Sequence, residues 1–383
     1  IVGITKDLIV KSGSVLSIIG NSDVSILNSA QIIVEENATL MIDGNVNING
    51  NNNSIIIKGK FLKTDGSSLT LNNIDISTYG TLSLNQIVFN NSTISGELPY
   101  DKNVDRSIII SDCIFNNPEK TFCINLNGYD SYVIDNNDIN SCDGIGVKIF
   151  FSGKNIAEHS FDIRNNNIRN CNHVGLQLYS SISRIYMNNI FNNGVGIKLL
   201  NNSTILQLSG NQNALALDTQ KITGNDMYEI YMTKSCVPTN LHYNYIYDND
   251  EYPFIYYDSQ PESSSSGQHV YVSYIDVTYN NWGNITNPSA RLYSYTPYTI
   301  YEWNPIWNGN ESSKSNNSNP MIELIDDYLE NNKFHKLHEL CKSIVNLYPE
   351  TIQAENALKL LFNIEKYVDN DYMSLKTLNP KRY

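Results

Sequence analysis

Three short stretches align almost residue for residue: Asn136-Asn137-Asp138-Ile139-Asn140, Asn165-Asn166-Asn167-Ile168-Arg169 and Met187-Asn188-Asn189-Ile190-Phe191. Each is followed, six or seven residues on, by a second signature: Gly146-Val147-Lys148-Ile149, Gly175-Leu176-Gln177-Leu178 and Gly196-Ile197-Lys198-Leu199. The isoleucines stand 29 and then 22 residues apart. A repeat of that length, made of short apolar alternations separated by polar turns, is the mark of a solenoid. The apolar period is two, as in Val147/Ile149 or Ile185/Met187, and β-branched residues dominate, so the units are strands. Gly and Asn supply the tight left-handed corners between them.

Stacking such coils at the inter-strand spacing of about 4.8 Å sets like over like. Asn137, Asn166 and Asn188 then form a column of amides, each side chain both donor and acceptor to the next. Ile139, Ile168 and Ile190 fill the apolar interior beside it. Looser copies extend the pattern in both directions, at Asn72-Asn73-Ile74, Asn85-Gln86-Ile87, Cys113-Ile114-Phe115-Asn116, Tyr243-Asn244-Tyr245-Ile246 and Tyr279-Asn280-Asn281-Trp282. The first sixty residues repeat the logic as strand, Gly or Asn bend, strand. No helical pattern interrupts residues 1–308, which predicts one all-β array of roughly a dozen coils, about 50–65 Å long.

Composition excludes several classes. Lys and Arg number 26 against 39 Asp and Glu, for a net charge of −13 in 383 residues. A nucleic-acid binder needs concentrated positive charge to displace counterions, and this chain lacks it. Nor is there any run of the 18–20 apolar residues that spans a membrane. The start at Ile1, with neither a basic nor an apolar leader, reads as a processed or trimmed product. The six cysteines (Cys113, Cys123, Cys142, Cys171, Cys236 and Cys341) show no metal-ligand spacing. Cys142 and Cys171 fall on neighbouring coils, either bridged or simply stacked as small buried side chains.

After the array the pattern changes. Gln260 to Gly267 reads as a flexible loop, and residues 309–319 as a polar linker. From Pro320 the period becomes helical: Ile322, Ile325 and Leu329, then Leu337, Leu340, Ile344 and Leu347, with a third segment from Asn356 to Val368. Residues 320–383 are therefore expected to form a small helical hairpin or three-helix unit. It either covers the exposed β edge of the last coil or docks another protein.

Two resemblances sharpen these expectations. Asn280-Asn281-Trp282-Gly283, followed by Trp303-Asn304-Pro305-Ile306-Trp307, resembles the closing coil of right-handed parallel β-helix surface proteins of the pectate-lyase-like superfamily. The opening Gly13-Ser14-Val15-Leu16-Ser17-Ile18 and Ala38-Thr39-Leu40-Met41-Ile42-Asp43-Gly44 resemble it too. In the tail, Asn332-Lys333-Phe334, Ile344, Tyr348-Pro349, Ala354 and Ala357 resemble a degenerate tetratricopeptide unit. Together they look like surface proteins exported by the type IX route, and adhesin-like archaeal surface proteins share the Asn-Asn-Trp-Gly motif. The resemblance implies a right-handed coil and an extracellular, cell-surface location.

Within that superfamily, lyases use acidic calcium ligands with an Arg or Lys base, and hydrolases use paired carboxylates. The densest acidic group here is Asp135, Asp138, Asp143 and Asp162, with Arg164 and Arg169 one coil on. Asp138, Asp143, His173 and Arg169 are the catalytic candidates, with Asp143 and His173 expected to face each other across matching corners. The plainer alternative is that an Asp and a His at a turn are turn formers. For binding, alternation turns Lys148, Gln177 and Lys198 outward as one column, either a solvated face or a groove for an anionic glycan. Tyr243, Tyr245 and Tyr247 share a parity and are expected to project outward, as sugar-stacking rings or as packing under neighbouring loops. An array rich in ladders and poor in convergent acid–base groups favours a non-catalytic adhesive, structural or filament role. The partners expected are other surface proteins, extracellular polysaccharide or further copies of the chain. The alternative is a polysaccharide-binding protein, lyase or hydrolase working on the outer face. No cofactor or metal is expected, with calcium only in the lyase case.

Overall fold

The computed structural model of the chain describes residues 2–96, 106–153, 160–213, 219–233, 236–258, 273–295, 299–307, 334–347, 357–358 and 361. The described residues up to Trp307 coil as a parallel β-solenoid of about eleven turns. At the strand spacing of about 4.8 Å the stack is roughly 50 Å long. One turn consists of Asp138–Cys142, Ile145–Phe150 and Phe161–Arg164; the next of Asn167–Cys171, Val174–Tyr179 and Ile182–Tyr186. Each strand pairs in parallel with its counterpart one turn on, which builds three sheets around a triangular core. The long strands Asn45–Ile57 and Ser68–Thr78 bend across the corner between the first and second sheets.

The interior is columnar. On the first sheet Val24, Ile48, Leu71, Phe89, Phe115, Ile139, Ile168, Ile190, Ile222 and Ile246 stand one over another. Phe89 and Phe115 stack with centroids 4.5 Å apart. Such registration means that each coil desolvates its neighbour's apolar side chains, the main favourable term in the fold.

The polar side chains that point into the stack gather at the corners, and each corner has its own column. Between the third and first sheets, amides run from Asn137 to Asn280. Asn137 donates to Asn166 Oδ1 (2.9 Å), Asn166 to Asn188 (3.0 Å), Asn188 to Gln220 (3.3 Å), Gln220 to Asn244 (2.9 Å) and Asn244 to Asn280 (3.0 Å). The residue just before this column holds a left-handed backbone at Asn136, Asn165, Met187, Tyr243 and Tyr279, with φ between 54° and 57°. Asn adopts that region most readily of the non-glycine residues, which explains the Asn-Asn pairs in the repeat. A serine column (Ser152, Ser181, Ser203) lines the corner between the second and third sheets.

The repeated glycines have a different reason. Gly175 and Gly196 sit beside the corner of the first and second sheets, where the side chains of Asn193 and Asn225 point across them. A Cβ at Gly175 would stand 2.9 Å from Asn193 Nδ2, and one at Gly196 2.8 Å from Asn225 Nδ2. Glu229 ends this run, and its carboxylate accepts from Asn225 N at 3.1 Å and from Asn225 Nδ2.

The Asn280-Asn281-Trp282-Gly283 motif closes the stack. Asn280 ends the amide column, Asn281 donates to Trp307 O at 2.9 Å, and fully buried Trp282 stacks on Phe254. Beyond the solenoid one α-helix, Phe334–Leu347, is described, and its buried stripe is Leu337, Cys341 and Val345. The expected first helical segment, the Ser-rich loop and the 309–319 linker lie outside the described residues, as do most of the proposed tetratricopeptide positions; of the expected third segment only Ala357, Leu358 and Leu361 are described, all three helical. All six cysteines are free thiols, so Cys142 and Cys171 are stacked and not bridged. Among the described residues, no helix is long and apolar enough to cross a membrane.

Candidate functional site

Three of the four carboxylates singled out by sequence, Asp135, Asp138 and Asp162, are neutralised by an arginine of the turn that follows them. Asp138 holds Arg169 in a two-pronged ion pair and accepts from Asn167 at 3.0 Å. Asp135 pairs with Arg164 at 2.9 Å and Asp162 with Arg184 at 2.7 Å, the latter pair buried. Tyr186 and Asp135 on Arg164 push that guanidinium's pKa still higher. Arg169 is therefore the electrostatic partner of Asp138, one rung above it. Asp143 and His173 do not face each other. Asp143 accepts from Asn172 at 3.0 Å, while the His173 backbone bonds to Gly144 O. The register across this corner matches 142 with 171, which sets 143 against 172 and places His173 one residue further along. Among the described residues no group of three His, Cys, Asp or Glu side chains is arranged to hold a metal ion.

The expected lysine column is present, and it is longer than its three founding members. Asn125, Lys148, Gln177, Lys198, Tyr231, Tyr256 and Tyr293 are successive partners on the outer side of the second sheet. Lys148 Nζ lies 4.5 Å from the Phe150 ring centroid, and Lys198 Nζ 5.2 Å from that of Tyr231. Neither lysine has a carboxylate within ion-pair distance among the described residues. A parallel row begins with Phe150 stacked on Tyr179 at 5.0 Å. Tyr231 and Tyr256 stack at 5.7 Å with planes only 6° apart, and Tyr228 leans against both. Rings stacked along the axis cover one another's faces. What this strip offers a ligand is ring edges and hydroxyls, with two ammonium groups beside them. Burial and the Asp258 carboxylate raise the pKa values of Tyr231 and Tyr256, so both hydroxyls remain donors. Tyr231 OH donates to Asp258 at 2.7 Å.

The tyrosine trio divides. Tyr245 and Tyr247, in the strand Tyr245–Tyr247, face outward on the first sheet and are half-buried; Tyr247 OH donates to Asn249 at 2.6 Å. Tyr243 does not project. It lies in the left-handed corner, is only 9% exposed, and packs on Tyr279 and Trp307. Strand alternation stops at the corner residue, so parity counted through it misplaces Tyr243.

One constellation escaped the sequence. On the third sheet Asp276 and Glu302 are direct partners on neighbouring turns, and buried His242 brings Nε2 within 3.2 Å of Asp276 Oδ1. Burial works against ionisation of Asp276, but the adjacent His242 imidazole and hydrogen bonds from Thr278 hold its pKa below the usual range. Burial and the nearby Asp276 charge push Glu302 up. The separations of 34 and 26 residues match no regular repeat, so only the three-dimensional register reveals this group.

Comparison with protein-family models, with curated proteins and with solved structures finds no match to this chain.

Proposed function

We propose that this chain is a non-catalytic, extracellular surface solenoid that adheres to extended, negatively charged polysaccharide along the outer strip of its second sheet. The reading extends the resemblance to right-handed pectate-lyase-like surface proteins, with export by a type IX-like route. One observation supports it above the others. In a chain of net charge −13, Lys148 and Lys198 stand in one register-locked column beside aromatic edges with no carboxylate partner among the described residues, whereas Asp135, Asp138 and Asp162 are tied to arginines. An extended sugar chain advances by about one residue per strand spacing, so successive acidic groups meet successive rungs. The test is affinity electrophoresis of the full chain in gels containing polygalacturonate or neutral dextran. Retardation by polygalacturonate alone, weakened at least tenfold in the K148Q/K198Q double variant, is the expected result. Gln already occupies position 177 of this column, so the variant keeps the fold. Equal migration of wild type and variant in polygalacturonate overturns the proposal.

A second reading, glycoside hydrolysis, is favoured by the adjacent carboxyls Asp276 and Glu302, because a pair whose pKa values are pushed in opposite directions is what a nucleophile and a general acid require. Release of reducing sugar from any polysaccharide, abolished by both D276N and E302Q, would establish it in place of a purely adhesive role.

A further inference from the structure

The corner between the first and second sheets carries the column Ser92, Asn117, Cys142, Cys171, Asn193 and Asn225. Asn117 Oδ1 accepts from Ser92 N at 2.9 Å, Asn193 Oδ1 accepts from Cys171 N at 3.0 Å, and Asn193 donates to Asn225 Oδ1 at 3.0 Å. Asn117 and Cys142 are partners, as are Cys142 and Cys171. Hydroxyls and amides suit such a column because they donate and accept strongly; thiols do both weakly. Two thiols in the middle therefore break a rule that the rest of the column keeps, and local departures of that kind mark sites with another purpose.

Their placement suits a bond. Partners on adjacent parallel strands lie about 4.8 Å apart at Cα, inside the usual disulfide span of about 4.4–6.8 Å. The Cys142 sulfur is in side-chain contact with both Cys171 and Cys123. It also accepts from Gly144 N at 3.3 Å.

We propose that Cys142 and Cys171 form a reversible disulfide that staples two successive turns, with Cys123 as the thiol that exchanges with it. Hydrogen peroxide is a sufficient oxidant. The Cys142 thiolate attacks one peroxide oxygen, an S–O bond forms, the O–O bond breaks, and the departing hydroxide takes a proton to become water. The Cys171 thiol then attacks the Cys142 sulfur, an S–S bond forms, the S–O bond breaks, and the departing hydroxide takes the Cys171 proton and leaves as water. Two thiols lose two electrons, and one peroxide is reduced to two waters. Hydrogen bonds from Cys123, Cys171 and Gly144 to the Cys142 sulfur lower its pKa and mark it as the attacking group. Cys113 and Cys341 are poor competitors, because burial pushes each up to about 12.

The reduced full chain is treated with hydrogen peroxide, alkylated under denaturing conditions and mapped by mass spectrometry. Alkylatable thiols should fall from the six of the sequence by two. The chain should lose the mass of two hydrogens in a peptide joining Cys142 to Cys171, and dithiothreitol should restore both. The melting temperature should rise on oxidation and return on reduction. C171S should redirect the link to Cys123–Cys142, and C142S, which places at 142 the residue type already present at 92, should abolish linkage. Six alkylatable thiols after treatment, oxygen adducts without a link, or a link that survives in C142S would overturn the proposal. Should a variant fail to fold, the wild-type peptide map decides alone.

Discussion

Asn166 shows what one buried amide does in this molecule. Its Oδ1 accepts from both Asn137 Nδ2 and Asn137 N, and its own Nδ2 donates to Asn188 Oδ1 and Ile134 O. Asn166→Ala strands the two Asn137 donors and takes a donor from each of two buried acceptors, Asn188 Oδ1 and Ile134 O. Each orphaned group costs about 1–3 kcal/mol, so the loss should be about 3 kcal/mol or more, read as a fall in the urea midpoint. Asn166→Asp keeps the acceptor but places an anion against Asn188 Oδ1, and should be no better. Glu229 titrates in the opposite sense to most carboxylates. Burial, only partly offset by the bonds from Asn225, pushes it up to about 8, against about 4.3 in an unfolded chain. A folded-state pKa above the unfolded value means that stability is fully present below about pH 4.3. It is then lost as the pH rises through about 8. Melting curves of wild type and E229Q between pH 5 and 9 test this: the wild type should lose on the order of a few kcal/mol relative to the variant on the alkaline side. A pH-independent difference would show that Glu229 does not titrate there.

At the scale of elements, the strand repeat was legible because three signals agreed: period-two apolar residues, Asn at left-handed corners, and like residues returning at coil spacing. The Ile139/Ile168/Ile190 core, the Asn137/Asn166/Asn188 column and the Lys148/Gln177/Lys198 strip all follow from that agreement. What failed lay at corners, where alternation has no meaning. Tyr243 is covered there by Tyr279 and Trp307, and in two corners of equal length His173 is matched with Gly144, one position along from Asp143. The meeting of His242, Asp276 and Glu302 depends on turns of unequal length, which sequence spacing does not encode. The role of the glycine signature was equally hidden. Gly175 has no left-handed φ, so its requirement is space for the Asn193 amide and the Gly196 carbonyl, each 2.9 Å from where a Cβ would stand. Since neither neighbour can yield without breaking a column bond, Gly175→Ala should cost about 1–3 kcal/mol, seen as a lower melting temperature. An unchanged melting temperature would show that the corner relaxes freely.

Considered whole, the molecule carries one sign of charge in excess and sets two lysines, with no carboxylate partner among the described residues, in one column of its second sheet, and these two features respond to salt in opposite directions. Screening relieves the mutual repulsion of a chain with net charge −13, so stability should increase as salt is added. The same screening weakens attraction between Lys148, Lys198 and an acidic polysaccharide. Raising sodium chloride from about 0.05 to about 0.5 M shortens the Debye length several-fold, from roughly 14 Å to roughly 4 Å. Over that range the melting temperature should climb by a few degrees while retardation in polygalacturonate gels declines steeply. In K148Q/K198Q the first effect should persist and the second should vanish, because the variant is more acidic overall yet has lost the strip. If binding and stability instead rise together with salt, the contact is apolar, made by the edges of Phe150, Tyr179, Tyr231 and Tyr256, and the lysines serve only to keep those rings upright.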